Sequence, residues 1–350
     1  MKIGVVGYGG MGAYHCDQIA RGNKQGQTEL SVKGVFDIDD SRRQVAIQNG
    51  LHVYSSLEEL LSDNEIKGVI IATPNDTHLP ICTAVAKSKK HILCEKPIAR
   101  SYKEALEMYS IAQGNGVTLC VNQNRRFDED YLKVRKMAEE NCLGELYRIE
   151  STVSGSNGIP GRWRREKERG GGMMFDWGVH LIDQMYTLFG MPEKICCSLD
   201  FLFKCEVDDG FTFVAKYKNG LEYVIRVETN CFIHRSRWKV FGFEGSAEIS
   251  DWKNNGEMVR VKERHDKMLC GIHAGNGLTK TMANRRLETV EKLALPIVER
   301  NDYAIYNNFV QVINGGECIT RKKQILSVMK LMESAFESSE KDGNYIYVKE

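Results

Sequence analysis

Three segments of the sequence hold side chains that can exchange protons and have no obvious structural need for them. They are Thr-Pro-Asn-Asp-Thr-His at 73–78, Glu-Lys-Pro at 95–97, and a glycine-rich segment at 170–180. The last of these holds Asp176 and His180, which are four positions apart and so share one face of a helix. A neutral imidazole is a suitable base near neutral pH, and a lysine ammonium stabilises negative charge that develops on an oxygen. These residue types therefore predict chemistry on a hydroxyl group.

Each segment also has a structural interpretation when it is taken alone. A Lys-Pro pair after a strand is common in loops, and a helical Asp–His pair is often an exposed capping pair. The first two segments, however, follow predicted strands of a parallel sheet, and ligands of open α/β sheets bind at those carboxyl ends. The joint occurrence of all three favours catalysis.

A glycine-rich turn precedes these segments. Gly7-Tyr8-Gly9-Gly10-Met11-Gly12 is a G-x-G-x-x-G sequence between a predicted strand at 3–7 and a predicted helix at 12–21. Gly7 permits the tight turn, Gly9 lets the backbone approach a pyrophosphate, and Gly12 lets the helix pack closely on the strand. The N–H groups and dipole at the start of the helix attract phosphate. The turn therefore predicts a dinucleotide site.

Asp37 ends the second predicted strand, near the spacing of the acidic residue that binds the adenosine ribose. A carboxylate there repels a 2′-phosphate, so NAD is favoured over NADP. Arg42 and Arg43 weaken this preference, because an arginine nearby can accommodate the phosphate. We interpret both arginines as solvated residues of a helix face.

The first third of the chain alternates short apolar strands with helices, as in a parallel sheet covered on both faces. We predict strands at 3–7, 31–37, 68–73, 91–94 and 118–121, and helices at 12–21, 41–49, 57–62, 79–88 and 102–114. This pattern predicts a Rossmann dinucleotide-binding domain over residues 1–122.

The pattern changes after residue 122. Helices are predicted at 128–140, 175–189, 302–314 and 323–338, strands at 145–154, 195–203, 211–216, 223–228, 238–243, 247–250 and 345–348, and a loop at 263–278. Alternating strands joined by turns predict an open, mostly antiparallel sheet. The fold class is therefore α/β, with a substrate-binding and oligomerisation domain over residues 123–350.

Composition narrows the classes of partner. The 350 residues carry a formal net charge of +1, which gives no electrostatic reason to expect nucleic acid or an anionic membrane. The 11 cysteines are scattered without metal-ligand spacing, so we expect reduced thiols, no metal and a cytoplasmic location. Because the sequence starts directly with an apolar strand, we expect no signal peptide, and no apolar run approaches the ~20 residues that span a bilayer.

Four motifs occur together in this sequence: the glycine turn, A-T-P-N-x-x-H, E-K-P and G-G-x-x-x-D-x-G-x-H-x-x-D. With them the chain resembles the Gfo/Idh/MocA oxidoreductases over essentially its whole length. The resemblance implies that Lys96, Asp176 and His180 form the catalytic set and that the chain forms homodimers or homotetramers through the C-terminal sheet. In this set we expect His180, with a pKa near ~6.5, to act as the base. Asp176 orients the substrate or stabilises the imidazolium, and Lys96 donates to the reacting oxygen.

The remaining site residues are assigned by their position after these strands. The predicted cofactor-binding residues are Gly7, Tyr8, Gly9, Gly10, Met11, Gly12, Asp37, Thr73, Pro74, Asn75, His78, Glu95 and Lys96. A structural hydrogen bond is an equal alternative for His78. The predicted substrate-binding residues are Lys96, Asn122, Asn124, Arg126, Trp163, Arg164, Asp176 and His180, because amides suit hydroxyls, an aromatic ring stacks on a sugar and an arginine clamps oxygens. We expect the glycines at 170–172 to let residues 161–169 move as a lid.

These expectations favour an NAD-dependent dehydrogenase of a secondary alcohol in a sugar, glycoside or cyclitol. Two alternatives stay open. The first is a redox-neutral NAD-dependent glycosidase of the same superfamily, which oxidises a sugar transiently and reduces the product again. The second is a non-catalytic NAD-sensing regulator, which would have no need of Lys96, Asp176 and His180.

Overall fold

A computed structural model describes residues 1–262, 272–273, 275–277, 279–280, 285 and 287–349. The loop predicted at 263–278 falls mostly outside the described residues. Across these ranges, no helix combines the length and the apolar character that a membrane crossing requires. In the same ranges, no three His, Cys, Asp or Glu side chains are grouped so that they could hold a metal ion.

The N-terminal domain is built on a parallel sheet of five strands in the described part of the chain. Its strands are β1 (Lys2–Val6), β2 (Ser31–Phe36), β3 (Gly68–Ile71), β4 (His91–Cys94) and β5 (Leu119–Val121). Their order is β2-β1-β3-β4-β5, and each neighbouring pair is parallel. All four residues of β3 are buried, which explains why its sequence lacks polar alternation.

Helices cover both faces of this sheet, and most begin at polar caps. They are α1 (Gly10–Lys24), α2 (Asp40–Gln48), α3 (Leu57–Ser62), α4 (His78–Lys87) and α5 (Tyr102–Gly114). The side chains of Asp39, Ser56 and Ser101 each accept a backbone N–H in the first turn of α2, α3 and α5. The prediction of a Rossmann fold is confirmed.

The C-terminal domain holds a sheet of nine strands in the described residues. The strands of this half of the chain are β6 (Leu146–Ser154), β7 (Lys194–Asp200), β8 (Gly210–Lys216), β9 (Glu222–Glu228), β10 (Trp238–Gly242), β11 (Gly245–Ile249), β12 (Gly256–Val261), β13 (Ile272–His273), β14 (Thr279–Lys280), β15 (Val290–Leu293) and β16 (Ile346–Tyr347). The sheet order is β15-β12-β11-β10-β6-β9-β8-β7-β16, while β13 pairs with β14. Among the described strands of this sheet, β6 and β9 pair in parallel and all other neighbours pair antiparallel, so the mostly antiparallel prediction is confirmed.

Four further helices pack on this framework: α6 (Glu129–Glu139), α7 (Val179–Phe189), α8 (Ala304–Ile313) and α9 (Lys322–Glu340). A π-helical turn, Met174–Gly178, leads directly into α7. Most of α7 is buried, and its apolar residues join those of α9 in one core that continues into the Rossmann domain.

The helix α8 lies away from the C-terminal sheet. Its residues Ile305, Tyr306 and Phe309 belong to a second apolar core together with Ile3 and Val5 of β1. A Cβ added at Gly68 of β3 would lie 3.1 Å from the Phe309 ring, which shows how closely α8 packs on the Rossmann sheet.

Candidate active site

The glycine turn between β1 and α1 is shaped by steric contacts. Gly7 has φ +92°, and a Cβ added there would lie 2.5 Å from the carbonyl oxygen of Ala72. A Cβ at Gly12 would lie 1.8 Å from the Gly7 oxygen, so only glycine lets the helix approach the strand. At Gly9 and Gly10, an added Cβ would meet no atom within 4 Å. Space for a ligand therefore lies beside the N-terminus of α1, as a dinucleotide requires.

This turn opens onto a cavity of 660 Å³ between the two domains. Most of the predicted cofactor-binding residues line the cavity: Gly7, Gly9, Gly10, Met11, Asp37, Thr73, Pro74, Asn75, Glu95 and Lys96. Trp163, Arg164 and Asp176, which were predicted to bind substrate, line it from the C-terminal domain. The segments at 73–78, 95–97 and 170–180 thus each contribute residues to one cavity.

Three predicted cofactor residues do not line the cavity: Tyr8, Gly12 and His78, of which the first two belong to the glycine turn. Tyr8 is only 2% exposed, and its side chain lies in the second apolar core while its backbone N–H donates to Asp37. Gly12 is enclosed against Gly7. Both therefore support the turn through its backbone and packing.

Asp37 stands at the end of β2, where the ribose-binding carboxylate was expected. Its carboxylate accepts the Tyr8 N–H at 2.6 Å and the Asp39 N–H at 2.8 Å. Arg43 donates to the Asp37 backbone oxygen and pairs with Asp40, so its side chain serves the local turn. Arg42, in contrast, lines the cavity, which corrects its interpretation as a purely solvated residue.

Glu95 is buried in a hydrogen-bond network beside the catalytic candidate Lys96. Its Oε1 lies 2.8 Å from His15 Nε2 and accepts the Asn122 amide at 2.6 Å. His15 Nδ1 lies 2.7 Å from the hydroxyl of Tyr306 on α8. Burial alone raises the pKa of Glu95, but His15, the Lys96 charge and the Asn122 amide together hold that pKa below its usual value. Glu95 is therefore ionised and fixed.

Lys96 is directed at the segment that precedes α7. Its Nζ donates to the backbone oxygen of Asp176 at 2.9 Å and lies 3.4 Å from the Asp176 carboxylate. Arg164 Nε lies 3.5 Å from the same carboxylate oxygen. Two cations thus share one anion at the cavity wall, which leaves a positive excess where an oxygen of a substrate can bind.

His180 lies one turn beyond Asp176 and is 4% exposed; it was predicted to bind substrate, but unlike Asp176 it does not line the cavity. Within the described structure its buried Nδ1 has no hydrogen-bond partner. Burial, followed by the charges of Lys96, Arg125 and Arg237, lowers the pKa of His180 well below 6.5. The expectation of a pKa near the unperturbed value is therefore wrong, and the ring is neutral at physiological pH.

His78 takes the structural alternative that the sequence left open. It is fully buried, with Nε2 3.0 Å from the Thr73 oxygen and Nδ1 3.0 Å from the Pro97 oxygen. The ring therefore ties the segment after β3 to the Glu-Lys-Pro segment after β4. His78 does not line the cavity, which corrects its assignment as a cofactor contact.

The assignment of Arg126 to the substrate is corrected. Its guanidinium forms two hydrogen bonds with the Asp183 carboxylate of α7, at 2.6 and 2.7 Å, and donates to the Ile319 oxygen. Both partners of the ion pair are almost fully buried. Arg126 therefore anchors α7, and Asp183, the last residue of the D-x-G-x-H-x-x-D motif, is its counter-ion.

The assignment of Asn122 and Asn124 to the substrate is also corrected. They line a separate 30 Å³ pocket with Tyr14, Asp302 and Tyr306, and not the main cavity. The Asn122 amide is occupied by Glu95. Ile305 and Tyr306 of α8 line the same small pocket, so both asparagines lie beside that helix.

The loop beside the cavity is fixed by the three glycines that follow it. The N–H groups of Gly171 and Gly172 donate to the oxygens of Glu166 and Arg164 at 3.0 Å. A Cβ added at Gly171 would lie 2.4 Å from the Arg164 oxygen. These glycines permit close packing of the loop, so the structure gives no support to the lid expected at 161–169.

Asp208 is a residue that the sequence analysis missed. It is 3% exposed, its Oδ2 accepts the Met174 N–H at 2.7 Å, and its backbone oxygen accepts the Met173 N–H at 3.0 Å. Asp208 therefore holds the start of the turn that carries Asp176. Burial raises the pKa of Asp208 to about 7, because the backbone N–H groups of Met174 and Met173 offset the loss of water only in part and the Asp209 charge adds to the increase. The adjacent Asp208-Asp209 pair before β8 was the available signal.

Comparisons with known proteins agree with this geometry. Residues 1–123 match the model of an oxidoreductase family with an NAD-binding Rossmann fold, and residues 131–248 match the GFO/IDH/MocA C-terminal domain. The chain is 39% identical to an NAD-binding protein from Listeria innocua, whose structure it matches with a TM-score of 0.91 over 99% of both chains.

Two curated relatives extend the comparison. An uncharacterized oxidoreductase of Schizosaccharomyces pombe is 30% identical over 88% of both chains. The scyllo-inositol 2-dehydrogenase (NADP(+)) IolW of Bacillus subtilis is 24% identical over 97% of this chain and 94% of its own. The present chain belongs to the Gfo/Idh/MocA family of NAD(P)-binding oxidoreductases.

Proposed function

We propose that this chain is a dehydrogenase that transfers a hydride between NAD and a secondary alcohol of a sugar, glycoside or cyclitol. The observation that carries the proposal is the Lys96 ammonium at the cavity wall, bound to Asp176 and close enough to His180 to lower its pKa. When bound, the nicotinamide ring supplies the hydride acceptor.

The residues present fit that cofactor. The open space beside Gly9 and Gly10 leaves room for a pyrophosphate at the N-terminus of α1, and Asp37 offers its carboxylate to a ribose. The negative charge of Asp37 supports NAD, while Arg42 on the same wall is the group that would have to bind the extra phosphate of NADP.

The chain's own groups supply the proton chemistry. Lys96 spends one hydrogen bond on the Asp176 backbone and retains others for the reacting oxygen of the substrate, where it stabilises alkoxide charge. His180 is neutral, and none of the described residues forms a hydrogen bond with its Nδ1, so the imidazole has the capacity to accept the hydroxyl proton. Asp176, held between Lys96 and Arg164, orients this group of side chains.

The test is NADH formation by the purified protein with NAD and a panel of inositols, aldoses and glycosides, with NADP in parallel. In His180→Ala we expect kcat to fall at least ~10²-fold, as is usual for loss of a general base, while NADH still binds. Lys96→Met should lose activity to a similar extent, and the matched control is Lys87→Met on the exposed surface of α4.

Two results would overturn the proposal. Near-wild-type turnover in His180→Ala or Lys96→Met would remove that residue from the reaction. Absence of turnover across the whole panel, by protein that binds NADH, would favour the redox-neutral or the non-catalytic alternative.

A further inference from the structure

Two cysteines from distant parts of the chain lie in direct contact. The sulfur atoms of Cys120 and Cys318 are 3.5 Å apart, although 198 positions separate the two residues. Cys120 is on β5, within the second apolar core, and Cys318 lies in the linker between α8 and α9. Cys318 is partly exposed whereas Cys120 is 3% exposed, so a small reagent meets Cys318 first.

We propose that Cys120 and Cys318 form a reversible disulfide when the protein meets a low-molecular-weight disulfide such as oxidised glutathione. The Cys318 thiolate attacks one sulfur of glutathione disulfide, which releases one glutathione thiolate and leaves glutathione bound to Cys318. Cys120 then loses its proton and attacks Cys318 Sγ, which releases the second glutathione. The two cysteines are oxidised by two electrons, and the glutathione disulfide is reduced by the same two.

The surroundings of Cys318 suit the first step. The neighbouring Cys120 thiol and the Thr320 hydroxyl, which lies 3.4 Å from Cys318 Sγ, outweigh burial and lower the pKa of Cys318 to about 6. The Arg126 charge acts in the same direction. These contacts favour the thiolate of Cys318, which is the form that attacks disulfides.

The contact between the two cysteines lies next to the residues that anchor α7, the helix of the candidate active site. Closing 3.5 Å to the ~2.05 Å of a disulfide draws the linker toward β5. The next linker residue, Ile319, accepts a hydrogen bond from Arg126, which anchors α7 through Asp183. Oxidation at this point would therefore act on the helix that carries His180.

The experiment uses the full-length protein and needs no substrate, so it is independent of the proposed activity. Reduced protein is incubated with oxidised glutathione, its free thiols are alkylated, and its peptides are analysed by mass spectrometry. We expect one cross-linked peptide pair that contains Cys120 and Cys318, is lighter by two hydrogens than the reduced pair, and disappears with dithiothreitol.

Two matched variants identify the order of attack. Cys120→Ser should retain glutathione on Cys318, because no thiol remains to displace it, while Cys318→Ser should take up little glutathione at Cys120. Cys196, which is also partly exposed, serves as an internal reference for unspecific modification. Wild-type protein that keeps glutathione on Cys318 without a cross-link, or in which Cys318 reacts no faster than Cys196, would overturn the proposal.

Discussion

Replacement of Asp208 by asparagine tests whether a buried carboxylate holds the turn that leads into α7. Asp208 accepts the Met174 N–H, and burial raises its pKa from 3.8 to about 7. The folded protein therefore keeps a proton that the unfolded chain loses above pH 3.8. It follows that wild-type stability falls as the pH rises from about 4 to about 7 and is level above that range.

The size of this effect follows from the same values. A pKa difference from 3.8 to about 7, at about 1.4 kcal/mol for each pH unit, amounts to roughly 4 kcal/mol. The hydrogen bond from the Met174 N–H is already included in this value, because it is one of the causes that set the pKa of Asp208. Asparagine keeps one acceptor for that N–H and carries no charge, so we expect Asp208→Asn to be up to roughly 4 kcal/mol more stable than the wild type at pH 8, and to lose that advantage by pH 4.

The assay is the free energy of unfolding in urea, measured at intervals between pH 4 and pH 8 for the wild type and the variant. Asp17→Asn on the exposed side of α1 makes the same chemical change without burial, so its pH dependence should match that of the wild type. Parallel pH dependences for the wild type and Asp208→Asn would refute the reasoning, as would a variant less stable than the wild type at pH 8.

Two further predictions address the cofactor and the anchor of α7. Asp37→Ser should weaken NADH binding about tenfold, or about 1.4 kcal/mol, and reduce the difference between the affinities for NADH and NADPH, as measured by fluorescence titration. Unchanged affinities for both cofactors would show that the carboxylate does not reach the ribose. Arg126→Ala should lower the free energy of unfolding by about 3–5 kcal/mol, because Asp183 stays buried without its counter-ion. Calorimetry that shows a loss under 1 kcal/mol would contradict that role for the pair.

The fold could be predicted because local patterns and tertiary packing agree. In the Rossmann half, α3, β4 and α5 have the bounds that apolar periodicity and turn residues predict. The strands β12 and β15 were not predicted, because Gly256–Val261 and Val290–Leu293 are short, half-exposed and interrupted by charged residues. Their strand character comes from pairing with each other and with β11.

The site could be predicted only where the chain's local geometry requires particular residues. Gly7 and Gly12 are fixed by steric contacts, and Lys96 by its place after β4. Arg126 looked equally suited to a ligand, but its partner Asp183 is 57 positions away, and a single sequence does not reveal such a pair. The lowered pKa of His180 likewise depends on burial and on charges from three other segments.

The return of α8 to the Rossmann sheet also bears on how the chain folds as it is synthesised. Ile3 and Val5 leave the ribosome roughly 300 residues before Phe309, which completes the core around them. At the usual rates of synthesis, about 5–20 residues per second, the part of this core that α8 covers stays open for about 15–60 s, although Cys16 and Ile19 of α1 already belong to it. During that interval the exposed apolar strands are a natural substrate for chaperones, and a chain truncated before α8 would keep that need permanently.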